Sequence, residues 1–203
     1  MRTLKSKHNK PSVRLRKYQN GGEVPKDPPS EFDKFLSHTI KKKGGTADQY
    51  GDLMNSISFH ETGPQQRLMP NAVQLVQRGD TLSPDGPGRG LFMFEVGDSQ
   101  GGITAVNRTY KEYKDAGMDI PDFLQEAYKL KSIDLSKYTP EQQQILFLGN
   151  YLQHPKADFS KVMNGDQSYD DFWFSYHQAG GEDVRKERVG AYNESEKERK
   201  KKD

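Results

Sequence analysis

The sequence predicts a mainly α domain with one small β element near its start, flanked by extended tails. Three observations carry this. Apolar residues recur at helical spacing in successive stretches, turn residues crowd into the interval after the second of them, and only residues 90–96 (GLFMFEV) read as a short strand. The chain has 203 residues, of which 32% are apolar and 30% charged, with a mean hydropathy of -1.01. That length fits one ordinary domain plus tails, and the lean composition assigns part of the chain to solvated tail.

Residues 1–45 read as a basic, largely extended N-terminal arm. Its first twenty positions carry Arg2, Lys5, Lys7, Lys10, Arg14, Arg16 and Lys17 with no acidic residue among them. Such a run is drawn to polyanions, so non-specific DNA contact by residues 1–20 is one expectation for it. Gly21-Gly22, Pro25 and Pro28-Pro29 then interrupt any periodicity. A short helix within the arm starts at Ser30, an N-cap residue, and places Phe32, Phe35, Leu36 and Ile40 on one face before Gly44-Gly45 stops it.

The folded unit is expected over residues 46–193. Thr46 caps a helix running to about His60, with Tyr50, Leu53, Met54 and Ile57 at helical spacing. From Thr62 to about Gly90 the period fails and turn residues accumulate, which reads as an irregular excursion. Further helices are expected over about 103–116, 121–131, 140–153 and 168–179. Thr139-Pro140-Glu141 supplies a cap, a proline at the first helical position and an early acid, and Ser168 precedes Asp170 and Asp171. Ile145, Leu146, Phe147, Leu148, Tyr151 and Leu152 read as core. Residues 194–203 are nearly all charged and read as a tail.

Several classes of function are excluded. The chain has no cysteine, so neither disulfides nor thiolate metal sites contribute. No apolar segment follows the N-terminal charges, so no cleaved secretory signal is expected, and no stretch approaches the roughly 20 apolar residues of a membrane helix. Residues 86–90 (GPGRG) lack the spacing of a phosphate-binding loop. His60-Glu61 begins like a zinc-protease helix, but position 64 is proline and the i, i+4 histidine pair is missing. No metal or other cofactor is expected.

Glu61 is the residue with chemistry to offer. It follows Ile57 by four positions, Met54 by seven and Leu53 by eight, which puts it on the apolar face at the C-terminal end of the stripe. Partial burial and the negative end of the helix dipole both disfavour its anion there. A carboxyl group in such a place is suited to holding a proton near neutral pH and delivering it. His60 lies about 100° away around the helix and is assigned no role.

The segment 57–63 (ISFHETG), followed after a loop by 86–95 (GPGRGLFMFE), resembles the lysozyme-like superfamily of goose-type lysozymes, lytic transglycosylases and phage muramidases. The pattern there is a Glu closing a helix, then Ser/Thr-Gly, then a glycine-led hairpin. The likeness is nearest to lysozyme-like virion proteins of tailed phages, and residues 101–108 (GGITAVNR) and 172–180 (FWFSYHQAG) add to it. It covers roughly residues 46–193. The resemblance implies an α+β lysozyme-like fold and cleavage of the β-1,4 bond between N-acetylmuramic acid and N-acetylglucosamine, with Glu61 as general acid. It also implies a place in the phage particle, in the tail or capsid interior, with action in the host cell envelope as the genome enters. Other virion proteins are then the expected partners of the N-terminal arm.

The resemblance also nominates the rest of the site. Arg89, Gly90, Phe92 and Met93 fall on the hairpin that lines the substrate cleft, although Met93 stands where the family pattern has glutamine. Candidates for a second carboxylate are Asp80, Asp85, Glu95 and Asp98. Strand alternation puts Leu91, Met93 and Glu95 on one face and Phe92 and Phe94 on the other, which ranks Glu95 first. On the last helix Trp173 reads as a core anchor and Tyr176 as the residue facing the cleft. A rival expectation is a structural or adaptor protein of the tail or capsid that keeps the fold without catalysis. A weaker one is a nucleic-acid-binding protein that works through its arm.

Overall fold

The computed structural model describes residues 28–66, 69–74, 76–78, 81–83, 87–96 and 101–176, with isolated helical positions at 186, 189–190, 193–194 and 197. The protein is mainly helical, with seven α-helices and two small antiparallel strand pairs among the described residues. In chain order these are α1 (Glu31–Lys43), α2 (Ala47–Gln66), β1 (Val76–Arg78), β2 (Thr81–Ser83), β3 (Gly88–Arg89) and β4 (Phe94–Glu95). There follow α3 (Gly102–Asp115), α4 (Asp122–Tyr128), α5 (Pro140–Leu152), α6 (Phe159–Met163) and α7 (Tyr169–Tyr176).

The expected helix starts are met by the expected chemistry. Ser30 accepts the Asp33 N–H while the Asp33 carboxylate accepts the Ser30 N–H, each at 3.1 Å, a reciprocal cap that satisfies two orphan donors. Thr139 and Gln142 form the same cap before α5, with Pro140 in the first turn. At α7 the Ser168 hydroxyl accepts the Asp171 N–H at 3.0 Å. The helix expected over 121–131 stops at Tyr128, and residues 177–179 of the last one lie outside the described residues. Helix α6 was not expected: five residues are too short a window for periodicity to register.

Helix α5 is the axis of the core, and every residue from Gln143 to Leu152 is buried. Helix α3 lies so close along it that a Cβ on Gly149 would meet the Thr109 hydroxyl oxygen at 2.3 Å. Helix α2 buries Tyr50, Leu53, Met54 and Ile57 as its spacing predicts. Burial then closes all around it, through Ser56, Ser58, Phe59 and His60.

The domain boundary drawn between residues 45 and 46 is corrected. Phe32, Phe35, Leu36 and Thr39 of α1 are buried, and Phe35 stacks on Tyr113 of α3 with ring centroids 4.7 Å apart. The packed unit therefore includes α1. The basic stretch ahead of Pro28 lies outside the described residues, as does most of the C-terminal tail.

A polar cluster ties α1 to α3 and to the end of α5. Glu112 is fully buried, with Lys42 Nζ 2.7 and 2.9 Å from its two oxygens, His38 Nε2 at 2.7 Å and Gln153 Nε2 at 2.5 Å. Burial pushes its pKa up, but the bonds from Lys42, His38 and Gln153 outweigh that and hold it below the ordinary value of 4.5.

The strand expected over residues 90–96 is also corrected. Only Gly88↔Glu95 and Arg89↔Phe94 pair, and residues 90–93 form the turn between β3 and β4. Gly90 at φ 79° and Met93 at φ 46° bend the chain back on itself. Leu91, Phe92, Met93 and Phe94 are all buried. The excursion before it is less irregular than expected. It holds the β1–β2 pair, and Val73 forms an isolated antiparallel bridge to Arg89.

Candidate active site

The regular course of α2 breaks at Gly63, whose φ of 68° and ψ of 178° are foreign to a helix. Nothing lies within 4 Å of where a Cβ would sit, so the backbone angle rather than crowding calls for glycine there. Pro64 follows, a residue suited to restarting a helix. Glu61 stands two positions before this break, half-buried, with the Thr62 hydroxyl donating back to the Ser58 carbonyl at 2.6 Å beside it.

The carboxylate of Glu61 is held from the far end of the domain. The indole N–H of Trp173, on α7, donates to Glu61 Oε1 at 2.5 Å. Trp173 is fully buried, so the expected core anchor is also a hydrogen-bond donor to the candidate acid. The ring of His60 stacks on the indole at 4.6 Å and 24°, and His60 Nε2 lies 2.8 Å from Asp170 Oδ1. The residue assigned no role is therefore packed against the group that holds Glu61.

Helix α5 supplies the third wall. Burial, and then the charge of Glu61, push the Tyr151 hydroxyl well above its ordinary range, while the Arg108 guanidinium pulls it the other way. Arg108 of α3 is itself half-buried, donates to Asn150 Oδ1 at 2.9 Å, and has its pKa lowered by burial. Burial, then Arg108 and Lys156, push His154 below its ordinary 6.5. Tyr151, expected as core alone, thus lies within electrostatic reach of both Glu61 and Arg108.

No protein-family model, curated protein or solved structure matches the chain. The likeness to lysozyme-like proteins rests on the short motifs themselves. Among the described residues no group of three or more His, Asp or Glu is placed to hold a metal ion, and no helix is long and apolar enough to cross a membrane.

The hairpin residues meet different fates. Arg89 is half-buried and its guanidinium donates to the Gly88 carbonyl at 2.8 Å. Gly90 is buried, and a Cβ there would strike Gln143 Oε1 at 2.3 Å, so it serves the turn. Phe92 is corrected as a substrate contact: it is 2% exposed and stacks on Phe147 of α5 at 4.3 Å, inside the core. Met93 is nearly buried at 8%. Glu95 is exposed, and because residues 91–93 turn, the alternation that aimed it with Met93 does not exist. Asp80, Asp85 and Asp98 lie outside the described residues. Tyr176 is engaged elsewhere: its hydroxyl donates to the Lys156 carbonyl at 2.8 Å and its ring packs on Phe172 and His154.

Two glutamines that sequence reasoning passed over hold the hairpin in place. Gln143 Oε1 accepts the Leu91 N–H at 2.7 Å, while its Nε2 donates to the Pro70 and Tyr138 carbonyls at 2.8 and 2.9 Å. Gln66, at the end of α2, accepts the Val73 N–H at 3.0 Å and donates to the Val73 carbonyl at 3.2 Å. In the sequence Gln143 is the middle of three consecutive glutamines ahead of the apolar run 145–148, and nothing local marks it out.

Proposed function

We propose that this protein cleaves the glycan strands of peptidoglycan, with Glu61 as the general acid. The observation that carries the reading is the setting of that carboxylate: half-buried at the bend of α2, one oxygen fixed by an indole N–H, its neighbours aromatic. A group so placed offers the geometry that general acid catalysis asks for, a carboxyl group held in a fixed position. Glu61 gives its proton to the glycosidic oxygen as the bond from that oxygen to the anomeric carbon breaks, and the sugar passes through an oxocarbenium-like state. Addition of water, with its proton returning to Glu61, leaves a reducing end. Attack by the sugar's own C6 hydroxyl, its proton returning to Glu61, leaves a 1,6-anhydro end. The motif likeness of residues 57–63 and 86–95 supports the substrate class, and the basic N-terminal stretch suits packaging in a phage particle beside other virion proteins and DNA.

The test is the full-length chain and Glu61→Gln on purified peptidoglycan, with product masses measured. Wild type is expected to release muropeptides and the variant to lose at least about 100-fold in rate, since one proton-transfer group contributes about 10²–10⁴-fold. Equal release by the two proteins defeats the reading.

A second reading has one observation in its favour. Met93 places an apolar, nearly buried side chain where the family pattern has a polar one. A virion protein that kept the fold as a structural or adaptor part fits that loss, and it predicts no muropeptide release from wild type.

A further inference from the structure

Glu61 and His60 are adjacent on α2, and Trp173 and Asp170 are one turn apart on α7. The two helices are joined by a pair of polar rungs, His60 Nε2 to Asp170 Oδ1 at 2.8 Å and Trp173 Nε1 to Glu61 Oε1 at 2.5 Å. The rungs are locked to each other, because the imidazole lies flat on the indole at 4.6 Å. From these contacts we infer that His60 and Asp170 are positioning residues for the acid, an inference that rests on the glycosidase reading. Asp170 fixes the imidazole plane, the imidazole fixes the indole plane, and the indole N–H fixes the carboxylate of Glu61.

The physical case is one of torsional freedom. A glutamate has three rotatable side-chain bonds, and a half-exposed one at a helix end samples several rotamers unless something stops it. A single hydrogen bond from a rigid ring stops it only if the ring itself cannot swivel. The His60 side chain has no exposed surface and that of Asp170 is 24% exposed, so the supporting pair is anchored inside while its acid still reaches the rim. Such a shell matters for rate because a misplacement of about 1 Å costs about 100-fold.

Trp173 is the chain's one tryptophan, so the full-length protein gives a single indole N–H resonance that watches this contact directly. With ¹⁵N labelling, the wild-type resonance is expected to lie away from that of a free indole, and Glu61→Gln is expected to shift it. Asp170→Ala is expected to shift the resonance toward that of a free indole and to lower kcat about 10- to 100-fold with KM within about twofold. Asp170→Asn, which keeps an oxygen acceptor for the imidazole, is expected to recover most of both. Trp173→Phe, which keeps a ring and loses the N–H, is expected to match Asp170→Ala in kcat. A wild-type indole resonance that ignores Glu61→Gln overturns the inference. So does an Asp170→Ala protein with wild-type resonance and kcat. The resonance does not depend on turnover: a wild type that releases no muropeptides defeats the glycosidase reading, while the indole resonance still judges the coupling of the four side chains.

Discussion

At the scale of single residues, Glu112 is a carboxylate whose hydrogen-bond partners outweigh the cost of its burial. Glu112 is sealed among Lys42, His38 and Gln153, and its charge is a structural asset. Its folded pKa lies below the unfolded value, so its contribution is fully present above about pH 4.5 and is lost as pH falls through the folded pKa. Glu112→Gln is expected to cost about 2 kcal/mol at pH 7, where donors lose a charged acceptor. The gap between the two proteins is expected to close as urea melts are repeated at successively lower pH below 4.5. A constant gap defeats the account. Nothing in the sequence announced Glu112, since its partners are 41 to 74 positions away in the chain. Glu61 was legible because its whole signal is local: a helical stripe, a terminus and a Thr-Gly pair. Its donor Trp173 is 112 positions distant and was legible only as core.

At the scale of elements, caps and periods worked where a helix was long and failed where shape came from contacts between elements. The starts of α1, α5 and α7 follow from one side-chain oxygen each. The turn over residues 90–93 does not, because an alternating apolar run and a buried apolar turn share one composition. Gly79-Asp80 between Val76–Arg78 and Thr81–Ser83 was the available hint of the β1–β2 pair, and dense turn residues around it hid the signal. What separates turn from strand is Gln143 on α5, which reaches across to the Leu91 N–H. Gln143→Leu leaves that N–H and two carbonyls without their partner in a buried place, at about 1–3 kcal/mol for each orphaned group. It is expected to lower the melting temperature and to speed amide exchange at Leu91 by at least about 10-fold, the equivalent of about 1.4 kcal/mol. Protection at Leu91 unchanged in the variant sinks this role.

At the scale of the whole molecule, the fold class was readable and the extent of the domain was not. A basic leader and the glycine pair at 44–45 made the first helix look like part of an arm. Three-dimensional packing assigns it to the core instead. Burying Phe32, Phe35 and Leu36 is worth about 6 kcal/mol together, which is comparable to the about 5–15 kcal/mol that holds an ordinary domain folded. A chain cut to residues 46–203 is therefore expected to lose the cooperative thermal transition of the full-length protein. Calorimetry on the two proteins decides, and a cooperative melt from the shorter one contradicts the packing account. The link between Glu61 and Trp173 has a consequence in time as well as in space. A ribosome delivers the carboxylate long before the indole, and 112 residues must follow it out. Until α7 has been made and has docked, the Glu61 carboxylate lacks its indole donor, so a nascent or C-terminally clipped chain carries this side chain without the bond that holds it.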